Sequence, residues 1–159
     1  MKGVTDMKKA LLRFVSTQDD LGLFVARVML AAVFIPHGSQ KLFGLFGGYG
    51  FTGTMNFFTG SGMPWIVALL VVLGESLGSY ALLVGLFGRF MAFGIFMIMV
   101  GAIFMVHLPN GFFMNWFGKQ AGEGFEYHLL AIGLALAVMI NGSGKFSIDR
   151  IIHKMLGRD

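Results

Sequence analysis

Residues 21–43 read LGLFVARVMLAAVFIPHGSQKLF: a long apolar run interrupted by Arg27, His37 and Lys41, with no acid. About 20 mostly apolar residues carry an α-helix across the ~30 Å hydrocarbon core of a bilayer. This stretch therefore sets the fold class as transmembrane helix. It is entered through Thr17-Gln18-Asp19-Asp20, in which Thr17 and Asp20 supply a helix N-terminal signal. The pattern recurs three times further along. A second span covers residues 64–87 after Pro64, and Gly85-Leu86-Phe87-Gly88-Arg89 turns the chain into a third, residues 90–108. Pro109-Asn110-Gly111 stops that helix, and a fourth span, residues 125–140, ends at Asn141-Gly142-Ser143-Gly144. The expected fold is an all-α membrane protein: one domain over residues 1–159, a bundle of four transmembrane helices with both termini cytoplasmic and short amphipathic helices at each end.

Composition agrees with that reading. Of 159 residues, 56% are hydrophobic and 13% charged, against about a quarter charged in soluble domains. The mean hydropathy is +0.77. Secreted disulfide scaffolds and cytosolic α/β enzymes do not fit these values. The absence of cysteine removes disulfide exchange, iron–sulfur clusters and thiolate metal sites. The net charge of +4 comes from basic ends, which in a membrane protein set topology, so nucleic acid is not an expected partner. With the N-terminus inside, the inner side holds Lys2, Lys8, Lys9, Arg13, Arg27, Arg89, Lys145, Arg150, Lys154 and Arg158, and the outer side only Lys41 and Lys119. Three further spans, and no small-x-small cleavage site before a soluble domain, make the first helix an uncleaved span and not a signal peptide. Near the N-terminus Met7, Ala10, Leu11 and Phe14 oppose Lys8, Lys9 and Arg13; Ile148, Ile151, Ile152, Met155 and Leu156 form a similar apolar face near the C-terminus. Such helices lie on an anionic inner leaflet as anchors.

Ionisable residues inside the spans are the functional candidates. Between Asp20 and Glu123 the only acid is Glu75. It stands about 11 residues past Pro64, hence ~16 Å deep. An ionised carboxylate there costs ~3 kcal/mol on insertion scales, so it must be paired, protonated or facing water. Gly78 and Ser79 share its face. Arg27, ~9 Å into the first span, is the expected partner in a structural Arg27–Glu75 ion pair; the alternative is that it snorkels to the inner surface. His37 and Lys41 stand one helical turn apart near the outer boundary, and His107 ends the third span at a similar level. Glu126 shares a face with Gly133 and Ala137. His128 points some 200° away from Glu126 and is assigned an interfacial or loop-packing role. The expected cluster is His37, Lys41, His107 and Glu126 near the outer surface with Glu75 beneath. The uncharged loop 44–63 and the aromatic loop 109–122 are expected to lie in the interface and lid this site.

Groups of this kind beside an apolar cavity suit quinone chemistry, which needs a proton donor or acceptor at each carbonyl. Two histidines could also be axial haem ligands, but nothing in their spacing identifies them as such. No metal site is expected: a di-iron carboxylate centre needs Glu-x-x-His pairs, and this chain has none. Serine-nucleophile, phosphate-loop and dinucleotide motifs are likewise missing. Gly74 with Gly78, and Gly94 with Gly101, read as close-packing seams.

The run His37-Gly38-Ser39-Gln40-Lys41-Leu42-Phe43-Gly44 resembles the first-helix motif of the DoxX family of small membrane proteins. Glu75-Ser76-Leu77-Gly78, with Gly85 and Arg89 after it, is similar to the next family motif. Gly124-Phe125-Glu126-Tyr127 and Gly142-Ser143-Gly144-Lys145-Phe146-Ser147-Ile148-Asp149 are similar to its last-helix and tail signatures. Two positions depart from the pattern: Ser79 where a second glycine is usual, and Ser143 where proline is usual. Both bear on packing and neither removes an ionisable group. The resemblance implies a four-helix, multi-pass inner-membrane protein of bacterial type, in a family named from a subunit associated with thiosulfate:quinone oxidoreductase. Catalysis by this chain alone does not follow.

The leading expectation is an accessory subunit of a quinone-linked oxidoreductase. Glu75 and Glu126 would handle protons, His37 and His107 would flank the head group, and Lys41 would hold negative charge. The cofactor stays open between quinone and none, and the partners are the bilayer with other redox subunits or further copies of the chain. The competing readings are a non-catalytic scaffold for partner proteins and a small transporter with Glu75 as coupling acid. A single domain without broken helices, as expected here, counts against the transporter.

Overall fold

The computed structural model describes residues 2–157 and, from residue 6 onward, their side chains; Arg158 and the Lys2 side chain, both used in the charge count, lie outside the described residues. Amphipathic α1 (Lys2–Phe14) leads through a short linker into α2 (Leu21–Phe43). The carboxylate of Asp20 accepts the Leu23 N–H at 2.8 Å and so caps α2. Gly44 ends it in the left-handed region, φ +72°.

Residues 44–63 are not simply a loop. A 3₁₀ turn at Leu45–Gly47 leads into α3 (Gly50–Gly60), which buries Thr54 and Met55. Met55 packs with Ala68 and Val72 in a small outer core flanked by Leu42 and Phe58.

The second expected span is interrupted. It consists of α4 (Trp65–Glu75) and α5 (Leu77–Val84), with Ser76 between them at φ −89°, ψ −86°. The Ser76 hydroxyl donates to the Val72 carbonyl at 2.5 Å, and the Ser79 N–H turns to Ser76 O at 3.1 Å. The Ser76 N–H still donates to Val72 O at 3.0 Å, so the hydroxyl is a second donor to that carbonyl, and the regular ladder is disturbed at Ser79, whose N–H reaches only three residues back.

The third span, α6 (Gly88–Ala102), runs on through a π-turn at Ile103–His107 and a 3₁₀ turn at Leu108–Asn110. A shorter apolar helix, α7 (Glu126–Asn141), has 16 residues, and α8 (Ile148–Leu156) follows behind Ser147 as N-cap. Among the described residues three segments are long and apolar enough to cross a membrane: Leu21–Phe43, Trp65–Val84 and Gly88–Asn110. The molecule is a helical membrane protein with three such segments and a shorter apolar helix.

Contacts with α3, α4, α5 and α7 make α2 the hub, while α6 and α7 pack against each other most extensively. The main core joins Leu30, Ala31 and Phe34 to Leu82, Ala92, Ile95 and Met99, and to Ala131, Ala135 and Val138. Alanines at 92, 131 and 135 let helix backbones approach closely.

The end of the bundle carrying both chain termini is tied by a polar knot. Fully buried Arg27 donates from Nε to Ser143 O (2.8 Å), from one terminal nitrogen to Leu82 O (2.9 Å) and Leu83 O, and from the other to Lys145 O and Phe146 O. Asp149, also buried, accepts the N–H groups of Phe87 and Gly88 and the Ser143 hydroxyl at 2.7, 2.9 and 2.6 Å. Arg89 donates to Ser16, Met139 and Ile140 carbonyls. The tail sequence GSGKFSID is thus stitched to the α5–α6 turn, and Ser143, one of the two departures noted above, supplies a stitch.

Candidate functional site

Glu75 is the last residue of α4, midway along the 20-residue Trp65–Val84 segment, and is only 6% exposed. Its partner is Lys41, whose Nζ reaches in from α2 to 2.5 Å from Oε2. Such proximity needs a missing side chain. A Cβ on Gly38 would lie 2.1 Å from the Glu75 carbonyl oxygen, so glycine alone lets α2 rest against the break at Ser76. Ser39, the next residue, pairs its hydroxyl with that of Tyr80 at 3.1 Å.

The expected Arg27–Glu75 pair does not form. Arg27 spends its guanidinium on backbone carbonyls released at the α5 end and along residues 143–146. The carboxylate within electrostatic reach of the buried guanidinium is that of Asp149, and not Glu75. Lys41, placed by sequence at the outer boundary, takes the Glu75 position by extending inward.

The first turn of α7 adds two side chains. Tyr127 packs on the main core with its hydroxyl buried and without a hydrogen-bond partner, within electrostatic reach of Glu75. His128 is buried, which sets aside the interfacial one of the two roles expected for it. Its ring lies 4.0 Å, centroid to centroid, from that of His107, and its Nδ1 also lacks a partner. Orphaned buried polar atoms are rare in native proteins and call for an explanation. His107 sits on the π-turn and is held by Nδ1 at 2.8 Å from Glu123 O. A π-turn at one histidine and a helix break at the buried acid are irregularities that concentrate at working sites.

The remaining expected members are placed elsewhere. His37 is exposed on α2, one turn from Lys41, with Phe34 as its ring neighbour. Glu126 accepts from Met114 N (2.8 Å) and Trp116 Nε1 (3.3 Å), and Glu123 from Asn115 N (2.6 Å), so these acids hold the 111–125 loop down. The expected cluster therefore resolves into a Lys41–Glu75 pair beside Tyr127, a His107–His128 stack, a loop clamp at Glu126, and an outward-facing His37. Sequence reasoning counted Tyr127 only among the aromatic residues and set His128 aside as packing, so neither was given a hydrogen-bonding role in the site. Their signal was a Tyr-His pair in the first turn of an otherwise apolar helix. Beside Lys41 a pocket of about 240 Å³ opens between α2 and α3, walled by Gln40, Gly48, Tyr49, Thr54 and Phe57.

The DoxX family model matches residues 22–108, more than half of the sequence. The chain belongs to the DoxX family. The matched region of this DoxX chain contains Arg27, the 37–44 run, Glu75, Gly85, Arg89 and His107. Among curated relatives, the chain is 29% identical over 138 residues to "Inner membrane protein YqjF" of Escherichia coli (strain K12), covering 86% of this chain and 95% of that protein. It is 27% identical over 135 residues to "Putative oxidoreductase CatD" of Bacillus subtilis (strain 168), covering 85% and 90%. No solved structure matches this DoxX chain.

Proposed function

We propose that this chain is an inner-membrane accessory subunit of a quinone-linked oxidoreductase, with a buried polar site for the quinone head group and its protons. The name of the Escherichia coli relative supports the membrane, and that of the Bacillus subtilis relative supports a redox role. Four spans with both termini cytoplasmic complete the reading. The ten-to-two distribution of Lys and Arg between the two sides supports that topology, and α7 at ~24 Å fits a locally thinned bilayer.

The observation that carries the proposal is the pair of buried, unpartnered atoms Tyr127 Oη, within electrostatic reach of Glu75, and His128 Nδ1, on the neighbouring ring. Both atoms can donate a hydrogen bond, and a quinone carbonyl is an acceptor without a proton of its own. When bound, the quinone supplies a two-electron, two-proton couple. Tyr127 orients an oxygen of the head group, and Glu75 holds and exchanges a proton beside it, with Lys41 as its counter-charge. His128 donates from Nδ1, and His107 links that position to the outer loop through the Glu123 carbonyl. Phe34, Ile95, Phe96 and Met99 in the adjoining core keep water away. His37, on the outward face, is available to a redox partner, and Glu126 keeps the lid loop in place.

The test is organic extraction of the chain purified in mild detergent. The native protein should retain quinone, and Tyr127→Phe should lose most of it at unchanged helical content. Absence of quinone from the native protein, with added quinone failing to bind, removes the reading. The break at Ser76 beside Glu75 favours a second one, a proton-coupled transporter, since interrupted helices line transport sites. Under that reading Glu75→Gln abolishes proton-driven uptake in vesicles and quinone content is irrelevant.

A further inference from the structure

We propose that the groove between the end of α5 and α8 is a built site for one anionic phospholipid, its phosphate held by Arg150 and Lys154 and its acyl chain laid over Val84, Ile151 and Phe146. The site lies at the opposite end of the bundle from Lys41 and does not depend on the quinone reading. The groove has a volume of about 370 Å³ and is lined by those five residues with Ser147 and Ile148.

Its wall is made by backbone strain. Phe146 has φ +53°, in the left-handed region that non-glycine residues avoid. The tail is held there because the Phe146 carbonyl accepts from Arg27 while the Lys145 N–H donates to Asp20 O at 3.1 Å. Strain of this kind persists where the surroundings over-determine it. The result is a phenyl ring 73% exposed at the groove edge, set edge-on against Phe24 at 5.3 Å. Ser147 caps α8 and accepts the Arg150 N–H, so Arg150 and Lys154 stand one turn apart on the same side of that helix. Arg150 also pairs with Asp19, which fixes its position. A guanidinium has five donors, and a carboxylate engages at most two, so donors remain for a phosphate.

The floor identifies the occupant as a lipid and not free phosphate. Val84 continues an exposed apolar face along α5 through Leu83, Tyr80 and Leu77. That face runs along a membrane-spanning segment, so the groove opens directly onto acyl chains while its upper edge is cationic. An anionic glycerophospholipid matches both ends, and a zwitterionic one brings a cation toward Arg150 and Lys154.

Native mass spectrometry of the full chain, titrated with dioleoyl-phosphatidylglycerol and dioleoyl-phosphatidylcholine, tests this. The native protein should take up one phosphatidylglycerol well before any phosphatidylcholine. Arg150→Gln/Lys154→Gln should weaken that first event by roughly thirty-fold, about five-fold for each surface-proximal cation removed. The charge-matched Lys9→Gln/Arg13→Gln on α1 should leave it unchanged. Val84→Trp, which fills the floor and keeps both charges, should weaken it too, and serves if the charge variant misfolds. Equal uptake of the two lipids by the native protein overturns the proposal. So does an equal loss in the α1 variant, because the attraction would then be diffuse.

Discussion

A methyl group on Gly38 would lie 2.1 Å from the Glu75 carbonyl oxygen, 2.4 Å from the carbonyl carbon and 2.5 Å from Ser76 Cα. Unstrained carbon contacts lie near 3.5–4.0 Å. All three obstacles are backbone atoms, so no rotamer change relieves them, and α2 must move from the α4–α5 break by about 1–1.5 Å. Overpacking of this sort costs about 1–3 kcal/mol, and three simultaneous backbone clashes place Gly38→Ala at the upper end. The same displacement stretches the 2.5 Å Lys41–Glu75 contact to the edge of hydrogen bonding. The matched control is Gly94→Ala, where an added Cβ meets nothing within 4 Å and helix propensity improves by up to about 1 kcal/mol. Thermal unfolding in detergent, followed by circular dichroism, reads the difference. At about 2–4 °C per kcal/mol for a chain of this size, Gly38→Ala should melt roughly 6–12 °C below the native protein and Gly94→Ala at or slightly above it. Coincident melting of the two variants would falsify the close α2 contact on which the site geometry rests.

The Lys41–Glu75 pair makes a double-mutant cycle informative. Glu75→Gln leaves a half-buried cation unpaired and should cost about 3 kcal/mol, whereas Lys41→Met/Glu75→Gln should recover most of that; denaturant titration of both reports it, and additive losses would mean the pair is not coupled. Arg27→Lys keeps the charge but cannot span five carbonyls, so a loss of about 2–3 kcal/mol and faster proteolysis of the tail after residue 141 are expected. An unchanged digestion pattern would contradict the polar knot. The chain lacks cysteine, so single cysteines report topology cleanly: Lys119→Cys should react with a membrane-impermeant thiol reagent in intact cells, and Lys154→Cys only after lysis. The reverse pattern would invert the proposed orientation.

Three of the four expected spans were legible because length and hydropathy alone decide them, and the fourth corresponds to a shorter apolar helix. Pro64, Gly85, Pro109 and the 141–144 stop mark their ends within a few residues. Helix α3 was hidden by its glycines and lack of charge, which read as an interfacial loop; its burial comes from Ala68 and Val72, contacts no local pattern encodes. The break at Ser76 was hidden for a similar reason, since no proline marks it and a serine within an apolar run reads as continuous helix. The Arg27 partner was misjudged because Glu75 was the only acid within the spans, whereas buried Asp149 of the tail lies within electrostatic reach and backbone carbonyls take the donors. The carbonyls that satisfy it become available only when residues 82–83 and 143–146 fold around it. For His128 the helical-wheel argument separated it correctly from Glu126, but not which of the two faces would be covered. The 111–125 loop settles that by folding onto Glu126 and leaving His128 inside against His107. Glu75 was legible as a site because a lone intramembrane acid is costly wherever the chain puts it.

Infrared difference spectroscopy of the native protein in nanodiscs, titrated with a short-tailed quinone carrying ¹³C-labelled carbonyls, bears most directly on the buried site. Hydrogen bonding from Tyr127 Oη and His128 Nδ1 predicts saturable binding, with a bound carbonyl band shifted below its position in lipid. Tyr127→Phe should return that band toward the lipid value and weaken binding about ten-fold, as expected for one buried hydrogen bond of roughly 1.4 kcal/mol. A carbonyl band identical to that of quinone in empty nanodiscs, in native protein and variant alike, would contradict the account.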